Sequence, residues 1–177
     1  MTTTTYDLDP VHSHLTFSVR HMMVSQQRGQ FTGASGALTL DRDNLAASRV
    51  EVTIDVTTIN TNNTDRDNHL RSADFFDAAN HPKMTFASRQ VQVGDDGELK
   101  VTGDLTIRGT TRPVVLTAEA ISDESKDPFG NIRVGTSVTG KVSRKDFGLV
   151  WNAVLETGGV ALGDDVKLTL DVQFIRK

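Results

Sequence analysis

Three histidines near the start of the chain are the first residues whose types and spacing could do chemistry. His12 and His14 stand two apart, just after Asp9. On a strand that spacing puts both imidazoles on one face, an acceptable start for a metal site. A third ligand would have to come from His69 or His81, and nothing in the sequence places either one nearby. Two histidines in an alternating polar row are also ordinary surface residues, so no metal is expected. His21 follows His14 by seven residues and has the opposite parity. On a regular strand it faces the interior or its mouth.

Two further clusters could touch a ligand. Asp74-Phe75-Phe76-Asp77 sets adjacent rings between carboxylates, either as a lid over a ligand or as a plug closing the core. Arg144-Lys145-Asp146-Phe147-Gly148-Leu149 leads to Trp151, the single tryptophan. Arg144 could hold a carbonyl or phosphate by forked hydrogen bonds, or pair with Asp146 or Asp74. If buried, Trp151 needs a partner for its N–H. There is no nucleophile elbow, phosphate loop or dinucleotide fingerprint, and no catalytic residue is assigned. The catalytic alternative is His21 with Asp74 or Asp146 as an acid–base pair acting on an apolar substrate. A third alternative is a protein-interaction module with a filled core.

The elements that position these groups are strands. Val50, Val52, Ile54 and Val56 alternate with Glu51, Thr53, Asp55 and Thr57. Similar rows begin at His14, Gln30, Met84, Leu99, Val114, Ile132 and Val166, separated by turn signals such as Asp95-Asp96-Gly97. One apolar face per strand indicates an antiparallel sheet. Eight such strands with mostly short connections predict an all-β, up-and-down barrel, which leaves no open edge. The rival is a two-sheet sandwich. An eight-stranded barrel is either filled by side chains or wide enough for one small ligand. Small residues on the inward rows (Gly103, Ala118, Ala120, Thr136, Gly140) point to space inside. Residues 57–83 and 144–165 are too long for turns. The first should hold a helical lid near 65–76, entered through Thr64 with acids in its first turn. The second should open with a helical turn ended by Gly148.

Composition narrows the function classes. The chain has 177 residues, 24% charged and 37% hydrophobic, with a formal net charge of −4 and no cysteine. That describes one globular domain without disulfide or thiolate chemistry. The acidic balance argues against nucleic acid and against electrostatic docking on anionic membranes. No apolar run is long enough for a membrane-spanning helix. The first residues lack the pattern of a secretory signal, so a cytoplasmic location is expected.

Ordered pieces along the chain resemble one family. They are Tyr6-x-Leu8-Asp9-x-x-His12-Ser13-x-Leu15-x-Phe17-x-Val19-x-His21 with Gly29-x-Phe31, then Leu70-x-Ser72-Ala73-Asp74-Phe75-Phe76-Asp77 and Pro82-x-Met84-x-Phe86-x-Ser88. Gly103-x-Leu105-Thr106-Ile107-Arg108-Gly109-Thr110-Thr111 and Arg144-x-Asp146-Phe147-Gly148-Leu149-x-Trp151 complete the set. Together they are similar to the YceI-like family of lipocalin-like proteins. The resemblance implies an eight-stranded barrel with a helical lid, often a homodimer. It also implies a long apolar ligand in the lumen, such as a polyisoprenoid or a quinone with its prenyl tail. No other cofactor is implied. Many relatives are exported, whereas no signal is visible here. The expected function is non-catalytic lipid binding for storage, shielding or transport. The residues expected against the ligand are Phe17, Val19, Phe31, Leu38, Ile54, Phe86 and Leu105 in the lumen, and Phe75, Phe76, Phe147 and Trp151 around the lid. His21, Asp74 and Arg144 are expected at the mouth.

Overall fold

The structure is a computed structural model and describes residues 2–156 and 158–177. Its strands are β1 (Thr3–Leu8), β2 (His14–His21), β3 (Ser25–Phe31), β4 (Ala34–Asp41), β5 (Arg49–Asp55), β6 (Ile59–Asn60), β7 (Lys83–Val93), β8 (Leu99–Ile107), β9 (Thr110–Ala118), β10 (Ser125–Lys126), β11 (Ile132–Ser143) and β12 (Leu162–Arg176). Three pairs act as single bent staves: β1 with β2, β3 with β4, and β5 with β6. With β7, β8, β9, β11 and β12 they make eight staves, each antiparallel to its neighbours. The long β12 closes the ring, pairing with β11 on one edge and with β1 and β2 on the other. This is the expected closed barrel, and the sandwich is excluded. The short β10 forms a side hairpin on β11.

β1 was not expected as a strand. Its three threonines are strand formers, and Tyr6 and Leu8 are its buried positions. The chain breaks at Asp9-Pro10, where proline offers no N–H to a ladder. β7 has another irregularity. Ser88 faces Gly103 but Gln90 faces Thr102, so Arg89 is an extra residue. This bulge reverses parity: Met84 and Phe86 point inward before it, Val91 after it.

The two ends of the barrel differ. At one end, Tyr6, Leu8, Leu38, Leu40, Val134 and Phe174 pack into a plug. Tyr6 Oη donates to Glu124 at 2.6 Å, fastening the β9–β11 connection there. The other end carries the β2–β3, β6–β7, β8–β9 and β11–β12 connections. Helix α1 (Thr64–Arg71) lies in the second of these. Its N-cap is Asn63, whose side chain accepts from the Arg66 N–H, so Thr64 is already helical. The helix is also shorter than the expected 65–76. Ser72 leaves helical geometry, and its hydroxyl donates to the His69 carbonyl at 2.6 Å. Phe75 and Phe76 are therefore delivered by successive turns. Arg71 and Arg108 fasten this lid, Arg71 by donating to the carbonyls of Thr57 and Ile59 and Arg108 to that of Phe75. The turn Arg144–Phe147 ends at Gly148, as expected, with φ of 80°.

Candidate ligand-binding site

The inward rows do not fill the barrel. They enclose a cavity of about 460 Å³ on the lid side of the plug, within the range of small-molecule sites. Alternate residues of the staves make its wall, among them Leu15, Phe17 and Val19 from β2, Leu105 and Ile107 from β8, and Val166, Leu168 and Leu170 from β12. Phe31, Ile54 and Phe86 line it too, and Phe75, Phe76, Phe147 and Trp151 cover it from the lid end.

Of the small inward residues, Ala118 is buried on the wall of this cavity, but the two glycines do not open space. A Cβ at Gly103 would come within 2.5 Å of Phe86 Cζ, and one at Gly140 within 2.6 Å of Leu116 Cδ2. These glycines receive a neighbour's side chain. Ala120 is exposed beyond the end of β9. Thr136 borders a second cavity of about 100 Å³ beside the plug, which shares Val50, Val101 and Val138 with the larger one.

Polar groups on the lining belong mainly to the lid half. His21 lines the cavity as its parity required, together with Arg28, Arg66, His69 and Arg144. Arg66 is held by Thr61, through Nε to the hydroxyl at 2.7 Å and Nη2 to the carbonyl. Arg144 is buried. Its Nε donates to the Gly163 carbonyl at 2.8 Å, and its Nη1 to those of Leu149 at 2.7 Å and Trp151 at 2.8 Å. The partners considered from sequence, Asp146 and Asp74, are not used. Asp164 is the nearest acid, 3.8 Å from Nη2. Burial pushes the guanidinium pKa down, and Asp164 offsets this in part. Among the described residues, Arg144 Nη2 is the one buried side-chain polar atom without a hydrogen-bond partner.

Two expected site residues lie elsewhere. Leu38 faces Tyr6 across the β1–β4 ladder, so it packs in the plug and borders the smaller cavity. Asp74 is exposed because the helix ends before it. It accepts from His69 Nε2 at 2.9 Å instead of facing the lumen. His69 is the residue the sequence reading missed. Its ring meets Phe75 and Trp151 edge-on, at centroid distances of 5.0 and 4.7 Å. The five-residue separation of His69 and Asp74 was the available signal, hidden by the expectation of an unbroken helix. His12 bonds to Asp9 at 2.7 Å and His14 is exposed. Among the described residues no cluster of three metal-ligating side chains forms.

Fold and cavity together define a class: a closed up-and-down β-barrel with an apolar lumen under a helical lid. Residues 6–174 match the YceI-like domain, and the chain belongs to that family. It is 43% identical over 143 residues to Protein YceI of Escherichia coli, covering 81% of this chain and 74% of that one. It superposes on the YceI protein of Campylobacter jejuni with a TM-score of 0.75 at 33% identity, covering 89% of each chain. A polyisoprenoid-binding domain from Saccharophagus degradans shares the fold, with a TM-score of 0.70 at 17% identity, over 97% of this chain and 98% of that one.

Proposed function

We propose that the protein binds a polyisoprenoid or other long-chain lipid in its lumen, without transforming it, and so stores, shields or carries it. The observation that carries this reading is the apolar cavity of about 460 Å³, with its few polar groups gathered toward the lid. The polyisoprenoid binding named for the S. degradans domain agrees with it. Burying one five-carbon unit is worth about 3–4 kcal/mol at ~0.8 kcal/mol per methylene. Eight such units would pass the practical ceiling near 18–21 kcal/mol, so ordering costs must absorb much of the gain. The tail supplies grip, and discrimination falls to the polar mouth. His21 and the unbonded Nη2 of Arg144 are the groups proposed to meet the head. Titration with an isoprenoid quinone tests the reading directly, because Trp151 lies in the cavity wall and quinones quench indole fluorescence. Saturable quenching supports lumen binding. Its absence, together with no detectable bound quinone after gel filtration, counts against it.

A second reading is favoured by one observation. The His69–Asp74 pair beside the lumen is the histidine–carboxylate arrangement that general acid–base chemistry needs. Chemical change in a bound lipid that disappears with His69→Gln would favour an enzyme. An unchanged lipid recovered from the protein favours the carrier.

A further inference from the structure

Beside the mouth, two hairpin tips touch. The first is Met22-Met23-Val24, between β2 and β3. The second is the loop from Val150 to Ala161, folded back on itself by the Val154–Val160 bridge. The Met22 N–H donates to the Ala161 carbonyl at 2.7 Å, and the Met23 sulfur lies against Gly159, where a Cβ would collide with it. Ten large apolar side chains are exposed among the described residues, and six belong to these two segments. Val24 is 79% exposed and Val154 86%. His21, Trp151, Ala161 and Leu162 all line the cavity, so this apolar surface is continuous with its mouth.

Two features argue for what covers it. The first is backbone conformation. Met22 and Met23 both have left-handed φ, 55° and 58°. A tight hairpin of this kind favours Asn-Gly at those positions. Local conformation therefore does not account for methionines at the tip, whereas a flexible side chain that wets apolar material suits an interaction surface. The second is charge. The chain's net charge is −4, yet no acid occurs between Asp9 and Asp41. The first hairpin thus carries only cations: exposed Arg20 and Arg28 flank its tip. Nearby Asp164 and Asp165 are faced by Lys145 and Lys141, at 3.4 and 3.6 Å, which leaves Glu156 as the acid on the second tip. An apolar tip with a cationic shoulder matches the interface of an anionic bilayer, where tails lie beneath acidic head groups.

We infer that these two tips form a docking site for an anionic lipid surface, through which the lumen exchanges its ligand with a membrane. The exchange part rests on the lipid-binding reading; the docking part does not. The net acidity of the chain opposes electrostatic docking of the molecule as a whole, so the attraction comes from the acid-free first hairpin with Arg20 and Arg28.

Co-sedimentation with vesicles tests it, using equal parts phosphatidylglycerol and phosphatidylcholine against phosphatidylcholine alone. The protein should pellet with the anionic vesicles and much less with the neutral ones. Replacing the tip by Met22→Asn with Met23→Gly suits the turn and should keep the fold. It should weaken vesicle binding roughly tenfold or more, since two apolar side chains are lost. Val24→Ser with Val154→Ser should act in the same direction, and Arg20→Gln should reduce the loss of binding that salt causes. No pelleting of the wild type, or unaltered pelleting of both apolar variants, overturns the site. So does a dimer in solution that the Asn-Gly variant dissociates while vesicles bind neither form, because a second copy then covers the face. Loading with an isoprenoid quinone from cyclodextrin, read by Trp151 quenching, is measured in parallel. Loading without vesicle binding defeats docking alone, and vesicle binding without loading defeats the lipid-carrier reading alone.

Discussion

The ring of Phe17 lies over Gly29, its partner across the β2–β3 ladder, so closely that a Cβ there would come within 2.5 Å of Cζ. The methyl of Thr61 crowds the same position at 2.8 Å. Glycine is required here to seat an aromatic ring in the barrel wall. Gly29→Ala would drive Phe17 toward the lumen. Overpacking of this kind costs about 1–3 kcal/mol. Urea unfolding should show that loss, and quinone affinity should fall with it. Phe17→Leu in the same background should restore much of the stability by removing the collision.

Arg144 ties together three stretches of chain through the carbonyls of Leu149, Trp151 and Gly163. A lysine carries the charge and three donors, but on a single point, and cannot reproduce the planar fork that places Nε on the Gly163 carbonyl and Nη1 on those of Leu149 and Trp151. Arg144→Lys should cost about 2–3 kcal/mol, the worth of one or more hydrogen bonds to a charged group. In a domain of this size that is roughly 4–12 °C in Tm. The loop holding Trp151 should loosen too, shifting its emission to the red. A melting point and spectrum like those of wild type would contradict this role.

Acid stability should depend on Arg133. Burial alone would raise the pKa of Asp9. Hydrogen bonds from Arg133, His12 and the Val11 N–H outweigh it and hold the group at about 2. Arg133 also bonds Asp127 at 2.7 Å and keeps that carboxyl well below its ordinary range. A carboxyl whose folded pKa is depressed adds stability that is complete above its unfolded value, about 3.9. That stability is lost as pH falls toward the folded value. The wild type should therefore weaken mainly between about pH 4 and pH 2. Arg133→Gln leaves only His12 and the Val11 N–H to offset the burial of Asp9, so weakening should begin at a higher pH than in the wild type, nearer about pH 4. Acid titration followed by circular dichroism reads both limbs.

Adjacent residues of β12 separate lumen from surface. Val166 lines the cavity, and Lys167 points outward. Val166→Gln places an amide against an apolar ligand, a burial that costs about 1–3 kcal/mol, so quinone affinity should drop roughly tenfold. Lys167→Gln should leave it unchanged. Equal effects at the two positions would place the ligand outside the barrel.

Much of the barrel was legible because one-sided burial writes itself as alternation, as in Val50, Val52 and Ile54 or Val114, Leu116 and Ala118. The irregularities were not. Arg89 inserts a residue that a strict period of two cannot register. The bend at Asp9-Pro10 separated Tyr6 and Leu8 from the strand they extend. At the site, parity placed Phe17, Val19 and His21 on the cavity wall. It could not show that Leu38, also inward, lies below the cavity in the plug, since parity fixes a face and leaves depth open. Asp74 and His69 depend on where the helix stops. That is decided by the Ser72 cap and the turns after it, a local competition with no periodic signature. The space inside was inferred from small residues, yet Gly103 and Gly140 are occupied by Phe86 and Leu116.

The most direct measurement is mass spectrometry of an organic extract of the purified protein, compared with an extract of the Val166→Gln variant. A lumen that carries lipid should yield a prenyl-chain or other long-chain lipid near one per protein from the wild type, and clearly less from the variant. An extract holding no such lipid, from a protein that also takes up no isoprenoid quinone when offered it, would contradict lipid binding.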